Sequence, residues 1–163
     1  MPPIVIVVMG VTGVGKTTVG QLIAEHLGLA FVDADDFHDS ESIERMRSGE
    51  PLDDAARTPW LDRLNAQLVE HMATGLVLAC SALKQTYRTR LTRGVDNVEF
   101  VVLSGPPDLL RERIEARTGH FAPAALLPSQ IEALEIPADA TVFGVARPPE
   151  AVAASILVNL GLG

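Results

Sequence analysis

Lysine is nearly absent from this chain, which has only Lys16 and Lys84, and cysteine is rarer still, with Cys80 alone. A single cysteine excludes an internal disulfide framework, and no Cys/His pair has the spacing of a zinc site. A chain without disulfides suits a reducing compartment, so a cytoplasmic location is expected. No apolar run exceeds Ile4–Met9, far short of the roughly 20 residues that span a bilayer. That run also lacks the basic flank and small-residue cleavage site of a signal peptide, so no membrane partner is expected. Positive charge is in deficit: 13 Lys+Arg stand against 21 Asp+Glu, a formal net charge of −8. No basic stripe is present to neutralise a phosphate backbone, which excludes nucleic acid as a partner. Small anions remain open as ligands wherever a few cations and backbone amides converge.

What is present describes one globular domain over residues 1–163, 47% apolar and 21% charged, long enough to bury a core unaided. Ile4–Met9 is continuously apolar and β-branched, the pattern of a strand buried on both faces of a parallel sheet. A helix is expected from about Lys16 to Leu27, stopped by Gly28. A short strand, Ala30–Val32, leads into an acidic loop. Helical spacing returns at Ser40–Arg47 and at Leu61, Leu64, Leu68 and Met72. Leu76–Ala79 and Val98–Leu103 read as buried strands with a helix from about Lys84 to Arg93 between them. A helix from Asp108 to about Arg117 precedes a weakly periodic segment, His120–Pro137. Ala140–Phe143 reads as the last strand and Pro149–Leu160 as a closing helix. The alternation predicts an α/β fold with a parallel sheet and helices on both faces, whose ligands bind at the carboxyl ends of the strands.

Between the first strand and first helix stands Gly10-Val11-Thr12-Gly13-Val14-Gly15-Lys16-Thr17. It matches G-x-x-x-x-G-K-[ST] at every defined position, in the strand–loop–helix context that motif requires. The glycines let successive N–H groups turn inward as an anion nest, and the following helix adds its positive end. Lys16 reaches the β- and γ-phosphates and the Thr17 hydroxyl faces Mg²⁺. The site is one for a nucleoside triphosphate. No N-K-x-D guanine reader is present, and Leu76–Ala79 runs into Cys80-Ser81 without the carboxylate expected of AAA-type or helicase-type ATPases. Acidic residues cluster instead after the second strand, at Asp33, Asp35 and Asp36. That placement fits a small-molecule kinase, one carboxylate helping to hold Mg²⁺ and another accepting the proton of the attacking hydroxyl.

Four further stretches carry a resemblance: D-x-D-D-F-H at 33–38, G-x-P-L-x-D-x-x-R-x-P-W-L at 49–61, C-S-A-L-K-x-x-Y-R at 80–88, and the segment Arg117-Thr118-Gly119-His120-Phe121. Together with the phosphate loop, the chain resembles the gluconokinase family of small P-loop kinases, relatives of shikimate kinase and the nucleoside monophosphate kinases, over nearly its whole length. The resemblance implies a P-loop sheet of about five strands, a flexible lid at about 117–127, and ATP-dependent phosphorylation of D-gluconate at its terminal hydroxyl. It also implies a homodimer. On the family pattern the nucleotide site falls on Gly10, Thr12, Gly13, Val14, Gly15, Lys16, Thr17 and Thr18. Asp33 joins Thr17 at the metal, and Asp35 takes the substrate hydroxyl with Asp36 as second choice. The family usually has Pro where Asp39 stands and Lys where Thr118 stands.

The remaining candidates follow from charge and position. Arg57 has the planar guanidinium that grips a carboxylate, with an ion pair to Asp53 or Asp54 as the alternative. Lys84 and Arg88, four apart, are expected on one helix face pointing at the pocket. Arg113 and Arg117 are expected to close on the phosphates, Arg117 as the better placed. His38 and His120 stand in the matched motifs, and the resemblance implies that they donate to substrate hydroxyls, while Trp60 and Cys80 are expected to pack. Another small P-loop kinase is the nearest alternative. Shikimate kinase, however, calls for a Gly-Gly-Gly run where Ser81-Ala82-Leu83 stands, and a monophosphate kinase for an Asp-Gly-Phe-Pro-Arg-like element. A non-catalytic nucleotide-binding regulator would have lost Lys16 or the acidic cluster, and both are present.

Overall fold

In the computed structural model, residues 2–117 and 123–163 are described. Five parallel strands form one sheet: β1 (Val5–Met9), β2 (Ala30–Asp33), β3 (Leu76–Ala79), β4 (Val98–Ser104) and β5 (Val142–Gly144), in the spatial order β2-β3-β1-β4-β5. The helices are α1 (Lys16–Leu27), α2 (Ser40–Arg47), α3 (Asp54–Glu70), α4 (Gln85–Leu91), α5 (Pro107–Ala116), α6 (Leu127–Ala133) and α7 (Pro149–Asn159), with 3-10 turns at Ala34–Phe37 and Ala124–Leu126.

The central strand explains its own composition. Ile6 and Val8 project into one core with Val19 and Ile23 of α1 and Ile156 of α7. Val5, Val7 and Met9 alternate to the opposite face, packing with Leu61, Leu64 and Leu68 of α3 and Leu91 of α4. Both faces are dry, so no polar residue interrupts the strand. Helix starts are set by side-chain caps where they matter to the site. Asp33 accepts from the Asp35 N–H, Asp39 from Ser42, and Asp53 from Ala56. The Asp53 cap starts α3 seven residues ahead of the apolar periodicity at Leu61 and places Pro59 inside it. Trp60 therefore lies within the helix, six residues after its start.

Other bounds shift for similar reasons. The last strand is Val142–Gly144 rather than Ala140–Phe143, because its register is set by pairing with Val102–Ser104 of β4. Of the expected lid, residues 118–122, including His120, lie outside the described residues. Its later part is folded structure: Leu126 and Leu127, at the start of α6, are 2% and 1% exposed. No helix among the described residues is long and apolar enough to cross a membrane.

The loop after β1 is forced close to its neighbours. Gly10 has φ +148°, and a Cβ there would lie 2.6 Å from the Leu103 carbonyl oxygen on β4. At Gly13, φ +89°, a Cβ would meet the Leu110 carbonyl at 2.9 Å. Both obstacles are backbone and cannot rotate away. Gly10→Ala is therefore expected to cost about 2 kcal/mol or more and to lower the melting temperature by several degrees, read by thermal denaturation. A melting temperature equal to the parent's would show that β4 yields at this point.

Candidate active site

The phosphate loop curls over the carboxyl end of β1 and delivers α1 with its first amides uncapped: Gly15, the residue before the helix, has left-handed backbone and no side-chain cap. Lys16 folds back over the loop, its Nζ donating to the carbonyls of Gly10 (2.9 Å) and Val11 (3.0 Å). Burial holds its pKa below the usual lysine value, opposed by the negative charges of Asp35 and Asp33. The loop is tied to the sheet by the Gly10 N–H, which donates to the Ser81 carbonyl at 3.4 Å. The turns after β1 and β3 therefore close the same cleft.

The two aspartates after β2 come to lie in different environments because of a single cap. Asp33 accepts the Thr17 hydroxyl at 2.7 Å through Oδ2 and the Asp35 N–H at 2.9 Å through Oδ1. That second bond turns the chain into the 3-10 turn and brings the Asp35 carboxylate into the cleft beside Lys16 and Arg117. Desolvation pushes Asp35 up to about 6, against the pull of Lys16. Asp36 is exposed on the turn and does not line the cleft. His38 stacks on Trp60, ring centroids 4.3 Å apart and planes 11° from parallel. Burial, with Arg57 and Arg63 nearby, pushes His38 down to about 4, so the ring is neutral at physiological pH. Trp60 itself is 3% exposed and held by its Nε1–H to the Ala34 carbonyl at 2.8 Å. It is both core and cleft wall. Cys80 lines the cleft but is buried, and desolvation raises its thiol to about 12, which leaves it inert.

A groove lined by Leu52, Arg57, Lys84, Tyr87 and Gln130 continues from this cleft, with Leu52, Arg57 and Gln130 lining both. Arg57 donates through Nη1 to the Leu52 carbonyl (2.7 Å) and the Tyr87 hydroxyl (3.0 Å). Tyr87 in turn donates to Asp54 at 2.6 Å. The acidic neighbour thus reaches Arg57 through a phenol rather than a direct ion pair. Lys84 lies 3.7 Å from Asp54 and 5.5 Å from the Tyr87 ring centroid.

Arg88 is a correction. The helix starts one residue after Lys84, whose backbone is extended, so the i, i+4 argument fails and the two cations part. Arg88 is 2% exposed and donates to the carbonyls of Ala82 (2.7 Å) and Leu83 (3.2 Å). It braces the turn after β3, where Ala82 has φ +44°, and lines neither the cleft nor the groove. Arg113 also departs from the expected closure over phosphates. It sits on α5 with Nη2 donating to the Val145 carbonyl at 2.6 Å, in a separate cleft beside Gly15, Thr18 and Arg147. That cleft also takes in Val14 and Val19, on the side of the phosphate loop away from Asp35. Arg117 lines the main cleft.

Comparison with known proteins agrees with this architecture. A gluconokinase from Gluconobacter oxydans is 46% identical over 142 residues, covering 85% of this chain and 79% of that protein. The chain belongs to the gluconokinase family. The gluconokinase from Sinorhizobium meliloti 1021 superposes with TM-score 0.80 at 39% identity, covering 98% of this chain and 96% of its own. A sugar kinase from Janibacter sp. HTCC2649, in an unliganded structure, superposes with TM-score 0.90 at 39% identity, covering 99% and 96%. A broader family model, described as an AAA domain, matches residues 6–122, and the chain belongs to that family too. The missing carboxylate at the end of β3 therefore does not set it outside that broader family. It is a P-loop kinase with an ATP-binding loop.

Two site residues escaped sequence reasoning in this gluconokinase-family chain. Gln130 reaches the phosphate loop from α6, accepting the Thr12 N–H at 2.7 Å, and Tyr87 organises the groove. Tyr87 stood in a quoted motif and was legible as a candidate. Gln130 lay in a weakly periodic stretch with no motif to mark it.

The position of Asp35 has a stability consequence. Its folded pKa is about 6, above the ordinary aspartate value near 4. The folded form therefore holds the proton more tightly, and stability is greatest below the unfolded pKa and falls as pH rises through about 6. Above that pH the ionised carboxylate costs on the order of 2–3 kcal/mol. Asp35→Asn is expected to raise the melting temperature at pH 7.5 by several degrees, with the gain shrinking towards pH 4. A melting temperature unchanged or lowered at pH 7.5 would show that Lys16 fully compensates the burial.

Proposed function

We propose that this kinase transfers the γ-phosphoryl group of ATP to the terminal hydroxyl of D-gluconate, giving 6-phospho-D-gluconate and ADP. The observation carrying this reading is one continuous depression. It runs from the phosphate loop, past a desolvated carboxylate, to a groove lined by two cations suited to a sugar-acid carboxylate. Asp35 accepts the proton of the attacking hydroxyl as its oxygen bonds to the γ-phosphorus and the bond to the β-bridging oxygen breaks. A carboxylate with pKa about 6 is ionised at physiological pH yet basic enough to take that proton. Asp36, exposed and outside the cleft, is the poorer candidate. Lys16 and Arg117 balance the charge that develops on the transferred group.

The loop amides of Gly13, Val14, Gly15 and Thr18 form the cradle around the phosphates, while Gly10 and Thr12 shape the loop with their own N–H groups held by Ser81 and Gln130, and Arg113 stands beside the base. Thr17 and Asp33, bonded at 2.7 Å, present the hard oxygen donors that a magnesium ion takes. Among the described residues no three His, Cys, Asp or Glu side chains gather as a metal cage. This fits an ion held mainly by phosphate and water. Bound there, magnesium would neutralise phosphate charge. Arg57 and Lys84 receive the carboxylate, and neutral His38 hydrogen-bonds a hydroxyl. The family resemblance extends the proposal to a homodimer in the cytoplasm.

The test is ADP release across gluconate, shikimate, glycerate, glucose and AMP. Gluconate is expected to be preferred, and glucose to be poor because it leaves the groove's cations unpaired. Arg57→Ala and Lys84→Ala are expected to raise the gluconate KM about tenfold or more, the scale of losing a charge-assisted hydrogen bond, with little change in the ATP KM. The free-enzyme kcat/KM for gluconate should fall as pH drops through about 6. Asp35→Asn should lose about 100-fold or more in turnover, as expected for a removed general base. Efficient phosphorylation of glucose, or equal use of shikimate, would overturn the substrate assignment.

A further inference from the structure

We infer that Gln130 of α6 is a specificity-determining residue, whose carboxamide N–H groups read a hydroxyl or carboxylate oxygen of the acceptor while its oxygen is locked on the phosphate loop. The inference deepens the proposed kinase reaction and rests on it.

The orientation of the amide follows from chemistry alone. The partner of Gln130 is the Thr12 backbone N–H, which can only donate, so the atom facing it at 2.7 Å must be the carboxamide oxygen. The nitrogen is thereby turned the other way, and no acceptor for it occurs among the described residues. Gln130 lines both the cleft that holds Lys16 and Asp35 and the groove that holds Arg57 and Lys84. Its donors stand where the two meet. An acceptor with its terminal hydroxyl at Asp35 and its carboxylate at Arg57 and Lys84 must pass this junction.

The helix carrying Gln130 is fixed at several points, so the donor is held in place rather than left to find its position. Leu127 is buried in the main core. The Glu135 N–H donates to the Leu83 carbonyl at 2.7 Å, and the Glu135 carboxylate accepts the Gln85 N–H at 2.8 Å. The phosphate loop is thus joined through α6 to the turn after β3 that leads into Lys84. A polar side chain held in one orientation at a binding site selects by geometry, because a ligand lacking the matching oxygen leaves it unpaired.

A simple brace for the loop would need only the oxygen, whereas an acceptor-reading role needs the nitrogen. Gln130→Glu keeps the oxygen, removes the donor and adds a negative charge; Gln130→Ala removes both groups and adds no charge, so a loss of gluconate affinity counts for the donor only where both variants show it. Both variants, with the parent, are assayed against gluconate and the deoxygluconates lacking one hydroxyl each, with melting temperatures measured alongside. We expect Gln130→Glu to melt like the parent yet to raise the gluconate KM about tenfold, with the ATP KM changed less than threefold. If a hydroxyl is the group read, one deoxygluconate should be about tenfold poorer than gluconate for the parent and nearly equal to it for Gln130→Ala. If it is the carboxylate, the loss in Gln130→Ala should be the same for every deoxygluconate and small for a neutral polyol. Recovery of parental gluconate kinetics by Gln130→Glu would overturn the inference and leave Gln130 a brace. So would a rise in the ATP KM equal to that for gluconate. If the parent does not phosphorylate gluconate, the substrate assignment fails separately, and the same comparison is run on the acceptor it does phosphorylate.

Discussion

The structure depends on how closely one stretch of backbone can approach others. The loop after β1 must bring several amides to one point, and it does so by passing within contact of the β4 carbonyl of Leu103 and the α5 carbonyl of Leu110. Neither approach leaves room for a side chain. From that constraint come the position of α1, whose first turn is left uncapped, and the placement of Lys16 over the loop. The apolar strands on either side serve the same end. A β1 buried on both faces is rigid, and a rigid strand end is what holds the loop in register with the turns after β2 and β3.

Around that loop the chain solves an electrostatic problem. Net charge is −8, yet the ligand of a phosphate loop is itself strongly anionic. The described cations near the cleft are Lys16, Arg57 and Arg117, with Lys84 in the adjoining groove and Arg113 in a neighbouring cleft. Most acidic residues are elsewhere on the exposed surface, where water screens them. Local convergence, rather than net charge, sets the field at the site. The scarcity of lysine is consistent with this, since both lysines line the depression.

Much of this was legible in the sequence because it is local. The β1 run, the phosphate loop and the Asp33–Asp36 turn each declare themselves within a few residues, and their partners lie at fixed strand ends. What could not be read were features decided by distant contacts. Lys84 and Arg88 share a helical spacing, but the helix begins between them, and Arg88 is drawn inward by two carbonyls left pointing at it by the turn at Ala82. Gln130 meets Thr12 across 118 residues, and no periodicity marks such a contact. The start of α3 lies well before the apolar stripe at Leu61 because Asp53 caps it. In each case hydrogen bonds invisible to pattern outweighed the pattern.

The two aspartates of the acidic turn show how small a difference in position separates two electrostatic environments. Asp33 and Asp35 are two residues apart, of the same type, and lie near the same lysine. Asp33 has one oxygen on the Thr17 hydroxyl and the other on the Asp35 amide, so it is satisfied by hydrogen bonds and fixed in direction. That same bond to the amide of Asp35 turns the second carboxylate into a desolvated position, where water no longer stabilises its charge and its pKa rises to about 6. One group is thereby suited to steady coordination and the other to exchanging a proton. The D-x-D spacing is therefore a geometric requirement of the cap, because the first carboxylate must reach the amide of the second.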